Sequence, residues 1–206
     1  MKIIIVDDHK IIRDGLRVLL ERDAAQQVVG EAADGRAGVD LVLKLKPDVV
    51  IMDMAMPELN GIEATRQLRA AGYVGGVVML SSHNERRFVI QARAAGADAY
   101  VHKEYAFEQV RTALAAAVRR ESYLSPDLAA QQDDGRLTGV ADRLTARERE
   151  VLQMLAEGQS VKEIAYRFDI SPKTIETHRM NLMTKLQVDN LADLTRLAVR
   201  EGLAKM

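Results

Sequence analysis

The chain has 206 residues and a formal net charge of −1; 48% of its residues are apolar and 29% are charged. This length allows one large domain or two modest ones, and the composition excludes a disordered tail or a membrane protein. Because cysteine is absent, disulfides, thiol catalysis and cysteine-ligated zinc are excluded, and the lack of a signal-peptide pattern leads us to expect a cytoplasmic protein.

Residues 1–121 alternate between short apolar runs and segments with helical periodicity. The apolar runs lie at 3–6, 28–29, 49–52, 77–80 and 99–101. The helical segments lie at about 14–22, 35–44, 61–70, 85–94 and 107–120. Apolar runs without polar alternation are typical of parallel strands covered on both faces. We therefore predict a five-stranded, doubly wound parallel sheet of the flavodoxin-like α/β class.

Residues 122–142 have the composition of a linker. Ser125-Pro126-Asp127 is a favourable helix start, and the polar stretch 131–135 follows it. This order predicts a short helix and then a flexible connection.

Residues 143–206 show helical patterns only, and they predict a small all-α domain of four helices. The predicted helix starts are Thr145, Ser160, Ser171 before Pro172, and either Asp189 or Asn190. Thr145 and Ser160 are each followed three residues later by glutamate, which is the pattern of a capping box.

Chemically distinctive side chains fall where the predicted strands of the first domain end. Asp7 and Asp8 follow the first strand, and Asp53 ends the third. Ser81 closes the fourth strand and Lys103 the fifth. Since ligands of parallel sheets bind beyond the carboxyl ends of the strands, we expect these residues to form one pocket.

Clustered carboxylates repel one another unless a cation compensates, and Mg²⁺ prefers such oxygen ligands while leaving positions for a phosphate. With a lysine and a seryl hydroxyl beside them, the carboxylates suit phosphoryl transfer, in which a carboxylate can itself be the acceptor. An Asp-Asp pair alone is more often a turn or helix cap, and a single lysine is usually a surface residue. The presence of all these residue types on one edge favours a site.

Four segments in this order resemble the receiver domain of bacterial two-component response regulators, over about residues 1–120. The segments are Val6-Asp7-Asp8-His9, Met52-Asp53-Met54-Ala55-Met56-Pro57 with Gly61, Leu80-Ser81-Ser82-His83, and Tyr100-Val101-His102-Lys103.

The resemblance implies a role for each matching residue. Asp53 would accept the phosphoryl group, Asp8 would bind Mg²⁺ directly, and Asp7 would bind it through water. The backbone carbonyl of Ala55 would complete the ion's protein ligands. The remaining roles implied are the switch hydroxyl of Ser81, the phosphate-contacting ammonium of Lys103 and the rotamer-changing ring of Tyr100.

In the second domain, residues 160–178 form two short predicted helices with a tight connection, which is the spacing of a helix-turn-helix. At 100° per residue, Ile175, Leu182 and Leu186 share one face of the second helix. The opposite face is slender and only partly charged. It fits a major-groove reader, although a solvated helix of a small bundle would look similar.

Several segments of the second domain, beginning with Leu144-Thr145-Ala146-Arg147-Glu148, look like the LuxR-type DNA-binding domain. The whole chain is thus similar to the NarL/FixJ subfamily of response regulators. The DNA-facing positions implied are Glu176, Thr177 and Met180 at base edges, and Lys173, Thr174, His178, Arg179, Asn181 and Lys185 at phosphates. Glu176 could instead pair with Lys173 or Arg179. The dimer seam implied on the last helix comprises Leu191, Leu194 and Ala198.

The resulting hypothesis is a transcription factor controlled by phosphorylation. The expected partners are a sensor histidine kinase, promoter DNA and a second copy of the chain when phosphorylated or DNA-bound, with RNA polymerase as a further candidate. One alternative is a phosphatase, although Ala55 stands where such enzymes carry a second acid. Another is a helix-turn-helix factor whose receiver only mediates dimerisation or docking.

Overall fold

The apolar runs become buried parallel strands in the computed structural model, which describes residues 1–83, 85–126 and 143–204. The chain divides into two units, Met1–Leu137 and Thr138–Met206. The helix predicted to start at Ser125 and the flexible connection after it fall mainly on residues 127–142, outside the described residues.

In the first unit, strands and helices alternate as the sequence pattern predicts. The strands are β1 (Lys2–Val6), β2 (Gln27–Ala32), β3 (Val49–Asp53), β4 (Gly76–Ser81), β5 (Ala99–His102) and β6 (Tyr123–Leu124). The helices are α1 (Lys10–Leu20), α2 (Gly35–Leu45), α3 (Gly61–Ala70), α4 (Arg86–Ala95) and α5 (Ala106–Val118), with a 3₁₀ turn at Lys103–Tyr105. Helix α1 begins at Lys10, earlier than predicted. The prediction missed the first turn because Ile11, which is 79% exposed, does not follow the apolar periodicity of the buried face.

All six strands are parallel, in the order β2-β1-β3-β4-β5-β6. The prediction of five strands was therefore one short, because Tyr123–Leu124, assigned to the linker, pairs with the outer edge of β5. Tyr123 and Leu124 pack against the cores on the two opposite faces of the sheet. A run of two apolar residues is too short to show strand periodicity, so the sequence carried no clear signal for β6.

The sheet separates two apolar layers. Ile4, Val6, Val50 and Met52 point to the side of α2, α3 and α4. The alternate residues of the same strands point to the side of α1 and α5, and they are Ile3, Ile5, Val49 and Ile51. Every residue of β3 is buried, so Asp53 at its end is held by a rigid central strand.

The second unit contains α6 (Ala146–Ala156), α7 (Val161–Phe168), α8 (Pro172–Leu186) and α9 (Leu191–Arg200). Thr145 and Ser160 form the two predicted capping boxes, Ser171 caps α8, and Asn190 caps α9. Asp169 takes a left-handed conformation (φ 52°) between α7 and α8, which provides the tight turn of a helix-turn-helix. Among the described residues, no helix is both long and apolar enough to cross a membrane.

Candidate functional site

Three carboxylates meet at the carboxyl edge of the sheet. β1 and β3 are neighbours, with Val6 opposite Met52, so the residues that follow Val6 come close to Asp53. Asp7 and Asp53 are almost completely buried, whereas the side chain of Asp8 is 24% exposed. Ligand atoms of Asp7, Asp8, Asp53 and His9 all lie within 4.8 Å of one another. The structure thus brings together the acids that the sequence placed on one edge.

Lys103 bridges two of these acids. Its ammonium nitrogen lies 2.8 Å from Asp7 Oδ2 and 2.9 Å from Asp53 Oδ1. Burial of the side chain disfavours its charge, but the attraction of Asp53 and the hydrogen bond to Asp7 outweigh that cost and raise the pKa of Lys103. The lysine is therefore a fixed positive charge directly beside the Asp53 carboxylate.

Two basic residues that sequence reasoning did not assign to the site also contact it. His9 Nδ1 lies 2.8 Å from Asp8 Oδ1 and 3.2 Å from Asp7 Oδ1. Arg13 donates from Nη1 to the carbonyl oxygen of Asp7 at 2.7 Å. The position of Arg13 in the sequence could have indicated this contact. Arg13 lies one turn after the start of α1, so its side chain lies above the residues that precede the helix.

Ser81 and Tyr100 form a second, buried layer beside the acids. Ser81 Oγ accepts a hydrogen bond from the backbone N–H of His83 at 2.9 Å, and it lies 3.5 Å from Met54 Sδ. The Tyr100 hydroxyl donates to the carbonyl oxygen of His83 at 3.0 Å. Burial raises the pKa of Tyr100, so its hydroxyl stays protonated and keeps this bond. Both switch candidates therefore share one partner, the backbone of His83.

The loop after β3 is held close to Asp53. The backbone N–H of Ala55 donates to Asp53 Oδ1 at 3.4 Å, and that of Gly61 donates to the carbonyl oxygen of Met54 at 2.7 Å. A Cβ at position 61 would lie 2.0 Å from the carbonyl oxygen of Asp53. Only glycine fits at this close approach, which fixes the loop that carries Ala55.

Helix α8 presents the face that periodicity predicted. Ile175 and Leu182 are fully buried in the core of the second unit, and Leu186 packs against that core. Of the residues expected at DNA, six are exposed: Lys173, Thr174, Thr177, Met180, Asn181 and Lys185. Glu176, His178 and Arg179 are half-buried.

Three charged side chains of this helix, Glu176, Arg179 and Lys185, are engaged within the chain. Glu176 Oε2 lies 3.1 Å from Arg179 Nη2, which is one of the two pairings that the sequence left open. Lys185 Nζ lies 2.7 and 2.8 Å from the two carboxylate oxygens of Glu148 on α6. Lys185, expected at a DNA phosphate, is thus already neutralised by its own domain in this structure.

The expected dimer seam on α9 needs correction. Leu194 and Ala198 are fully buried in the core of their own domain and cannot contact a second copy. A ten-residue helix of a small domain must use its apolar stripe to close that core, and these two residues lie on the stripe. Leu191 is 45% exposed and is the one residue of the three still available for such a contact.

Comparison with known proteins matches both units. The model of the response regulator receiver domain matches residues 3–115, and that of the bacterial regulatory proteins of the luxR family matches residues 142–198. The chain is 33% identical to the response regulator UvrY of Escherichia coli (strain K12), covering 98% of this chain and 95% of that protein. It is 35% identical to the nitrate/nitrite response regulator protein NarL of the same strain, covering 90% and 89%. A solved structure of two RcsB dimers bound to two parallel DNAs matches with a TM-score of 0.61 and 28% identity, covering 97% and 98%.

Proposed function

The chain belongs to the NarL/FixJ-type response regulators, DNA-binding transcription regulators of two-component systems, and we propose that Asp53 accepts the phosphoryl group that controls it. The observation that carries the proposal is the position of Lys103, whose ammonium lies between the carboxylates of Asp7 and Asp53. The limits 1–121 for the receiver and 143–206 for the DNA-binding domain belong to the same proposal, with β6 added to the receiver.

The phosphoryl donor is a phosphohistidine of a sensor histidine kinase. A carboxylate oxygen of Asp53 forms a P–O bond while the P–N bond breaks, and the histidine nitrogen leaves with that electron pair. Lys103 offsets the negative charge at the acceptor, and the hydroxyl of Ser81 can donate to a phosphoryl oxygen. The protein's contribution is positioning and charge neutralisation.

The donor set fits Mg²⁺. The carboxylates of Asp7, Asp8 and Asp53 supply hard oxygen ligands within one small volume, and the carbonyl of Ala55 follows Asp53 by two residues. Asp8 would bind the ion directly and Asp7 through water. When bound, the ion neutralises charge on the phosphoryl oxygens and reduces repulsion among the acids.

Phosphorylation then acts on the layer that contains Ser81 and Tyr100. The new group adds a charge of about −1.5 to −2 at pH 7. It attracts the hydroxyl of Ser81 and the ammonium of Lys103, and thereby changes the His83 backbone that Tyr100 holds. Two arrangements of this layer give the switch its two states.

Helix α8 is the reader of promoter DNA in this proposal. Thr177 and Met180, both exposed, face base edges, while Lys173, Thr174 and Asn181 contact phosphates. His178 and Arg179 lie beside these residues and contact the phosphate backbone of the DNA. Glu176 pairs with Arg179 through Oε2 and, with a side chain that is 44% exposed, can also accept from cytosine.

The active species is a homodimer on promoter DNA, with RNA polymerase as a further partner and the bacterial cytoplasm as the place of action. The structural relative RcsB supports this, since it was solved as dimers bound to DNA. The phosphatase alternative is disfavoured by Ala55 and by the family, whose members are transcription regulators rather than metabolic enzymes.

The proposal is tested by phosphorylating the full chain with a small phosphodonor and Mg²⁺. Asp53→Ala should abolish labelling, while the matched control Asp40→Ala, at an exposed position on α2, should label like the wild type. Persistent labelling of Asp53→Ala would show that the acceptor is another residue.

The alternative of a phosphorylation-independent docking receiver predicts a different result on DNA. The affinity for promoter DNA should rise when beryllofluoride and Mg²⁺ are added to the wild type, but not when they are added to Asp53→Ala. Equal affinity with and without the mimic, in a protein that does bind it, would favour the docking alternative.

A further inference from the structure

The chain that leaves α5 towards the second domain first returns to the sheet. Tyr123 donates from its backbone N–H to the carbonyl oxygen of Asp98, and Ser125 donates likewise to Tyr100, each at 3.1 Å. In this pairing Leu124 stands opposite Tyr100. The first residues of the predicted linker therefore lie directly against the strand that carries the switch tyrosine.

Ser125 fixes this return more firmly than strand pairing alone. It is completely buried. Its hydroxyl accepts a hydrogen bond from the backbone N–H of His102 at 3.1 Å and donates to Gln109 Oε1 at 2.6 Å. The backbone N–H of Ser125 also donates to the carbonyl oxygen of Tyr100. Ser125 therefore joins β5, α5 and the segment that leads to the DNA-binding domain.

These hydrogen bonds hold the end of β5 that lies next to the acidic site. His102, whose N–H Ser125 holds, immediately precedes Lys103, and the ammonium of Lys103 lies 2.9 Å from Asp53. Ser125 also holds the carbonyl of Tyr100, whose hydroxyl bonds to His83. A backbone shift at the end of β5 therefore acts on Ser125 through two hydrogen bonds, one to each of the residues that flank Val101.

We propose that Ser125 is a positioning residue that ties the phosphorylation state of Asp53 to the start of the interdomain segment. This inference rests on the proposed function of Asp53. In the unphosphorylated protein, Ser125 keeps β6 paired with β5. When a phosphoryl group draws Lys103 away from Asp7, the end of β5 shifts, the directional bonds of the Ser125 hydroxyl are misaligned, and β6 is released.

The experiment measures backbone amide hydrogen exchange of the full chain, with and without Mg²⁺ and beryllofluoride, in peptides covering 99–103 and 121–126. In the wild type, the mimic should speed exchange of 121–126 by about fivefold, the factor that one lost hydrogen bond is worth. Ser125→Ala should exchange fast already without the mimic and change less than about twofold when it is added.

Two further comparisons distinguish a positioning role of Ser125 from a general loosening of the segment 121–126. Gln109→Leu removes the acceptor of the Ser125 hydroxyl and should behave like Ser125→Ala, whereas Gln109→Glu keeps an acceptor and should respond like the wild type. Ser122→Ala, at an exposed position on the same segment, should also respond like the wild type. A wild-type-sized response in Ser125→Ala would overturn the proposal.

Fluorine NMR of bound beryllofluoride distinguishes this inference from the function on which it rests. If the wild type forms no adduct, the proposed role of Asp53 fails and the coupling fails with it. If the adduct forms but exchange of 121–126 stays unchanged, the role of Asp53 stands and the coupling through Ser125 is wrong.

Discussion

Lys185 donates from its ammonium group to both carboxylate oxygens of Glu148, at 2.7 and 2.8 Å. Glu148 also accepts from the backbone N–H of Thr145 at 2.9 Å, which closes the capping box of α6. The carboxylate side chain is only 6% exposed. The last turn of α8, the helix proposed to read DNA, is thereby fastened to the first turn of α6.

Replacing Lys185 by methionine should lower the stability of the DNA-binding domain by about 1–2 kcal/mol, because a buried carboxylate loses its charged donor. The Lys185 side chain is 42% exposed, so the loss stays below that for a fully buried ion pair. Lys173→Met, on the exposed face of α8, is the matched control and should leave the urea midpoint unchanged while weakening DNA binding. Equal midpoints for the two variants would mean that the Glu148 contact adds no stability.

The pair of Glu148 and Lys185 predicts that the stability of the DNA-binding domain depends on pH. Burial opposes the ionisation of Glu148, but the bonds from Lys185 and Thr145 outweigh it and lower its pKa from the ordinary 4.5. A carboxyl group whose pKa is lower in the folded state stabilises the fold above the unfolded pKa, and that contribution disappears as the pH falls through the folded pKa. The stability advantage of the wild type over Glu148→Gln should thus be constant above about pH 5 and shrink below about pH 4.5. Urea unfolding at several pH values measures it, and a pH-independent difference would contradict the assignment.

Residues close in the sequence made parts of this arrangement predictable. The capping box at Thr145 follows from a glutamate three residues later, because both ends lie within one helical turn. The pair of Glu148 with Lys185 joins residues 37 positions apart, and no local pattern marks it. For this pair, the lack of a pattern that joins distant helices limited what the sequence could show.

At the acidic site, a regular fold pattern made residues far apart in the sequence predictable as neighbours. Asp7, Asp8 and Asp53 could be placed together because parallel strands bring their carboxyl ends to one edge. The contact of Ser125 with β5 could not be foreseen, because β6 has two residues and the serine looked like a helix start. On α9, Leu194 was expected in the dimer seam but is buried in the core of its own domain, because an apolar stripe does not reveal whether it faces that core or a second copy.

Thr177 should contribute to sequence recognition rather than to general affinity. It is exposed on the reading face, and its hydroxyl already donates to the carbonyl oxygen of Lys173 at 3.0 Å, which leaves the methyl group to contact a base. Thr177→Ala should weaken specific binding by about 0.8 kcal/mol, the contribution of one buried methyl-sized group, and leave non-specific binding unchanged. Lys173→Ala should weaken both and reduce the salt dependence by about one unit of slope. Titrations of operator and random DNA at several salt concentrations measure these effects, and equal losses for Thr177→Ala on both DNAs would reassign it to the backbone contacts.

Substitutions at Leu191 and Leu194 should distinguish effects on association from effects on folding. The two residues lie one turn apart on α9, one exposed and the other buried. Leu191 is 45% exposed, whereas Leu194 is fully buried in the domain core. Leu194→Ala should destabilise the domain by about 2–5 kcal/mol, the cost of deleting buried methyl groups and leaving a cavity. Leu191→Asp should preserve the unfolding midpoint but weaken cooperative binding to DNA with two half-sites, because a charge would be buried at a contact between two copies. Gel-shift cooperativity and urea unfolding measure the two effects. Undiminished cooperativity in a folded Leu191→Asp variant would place the dimer contact outside α9.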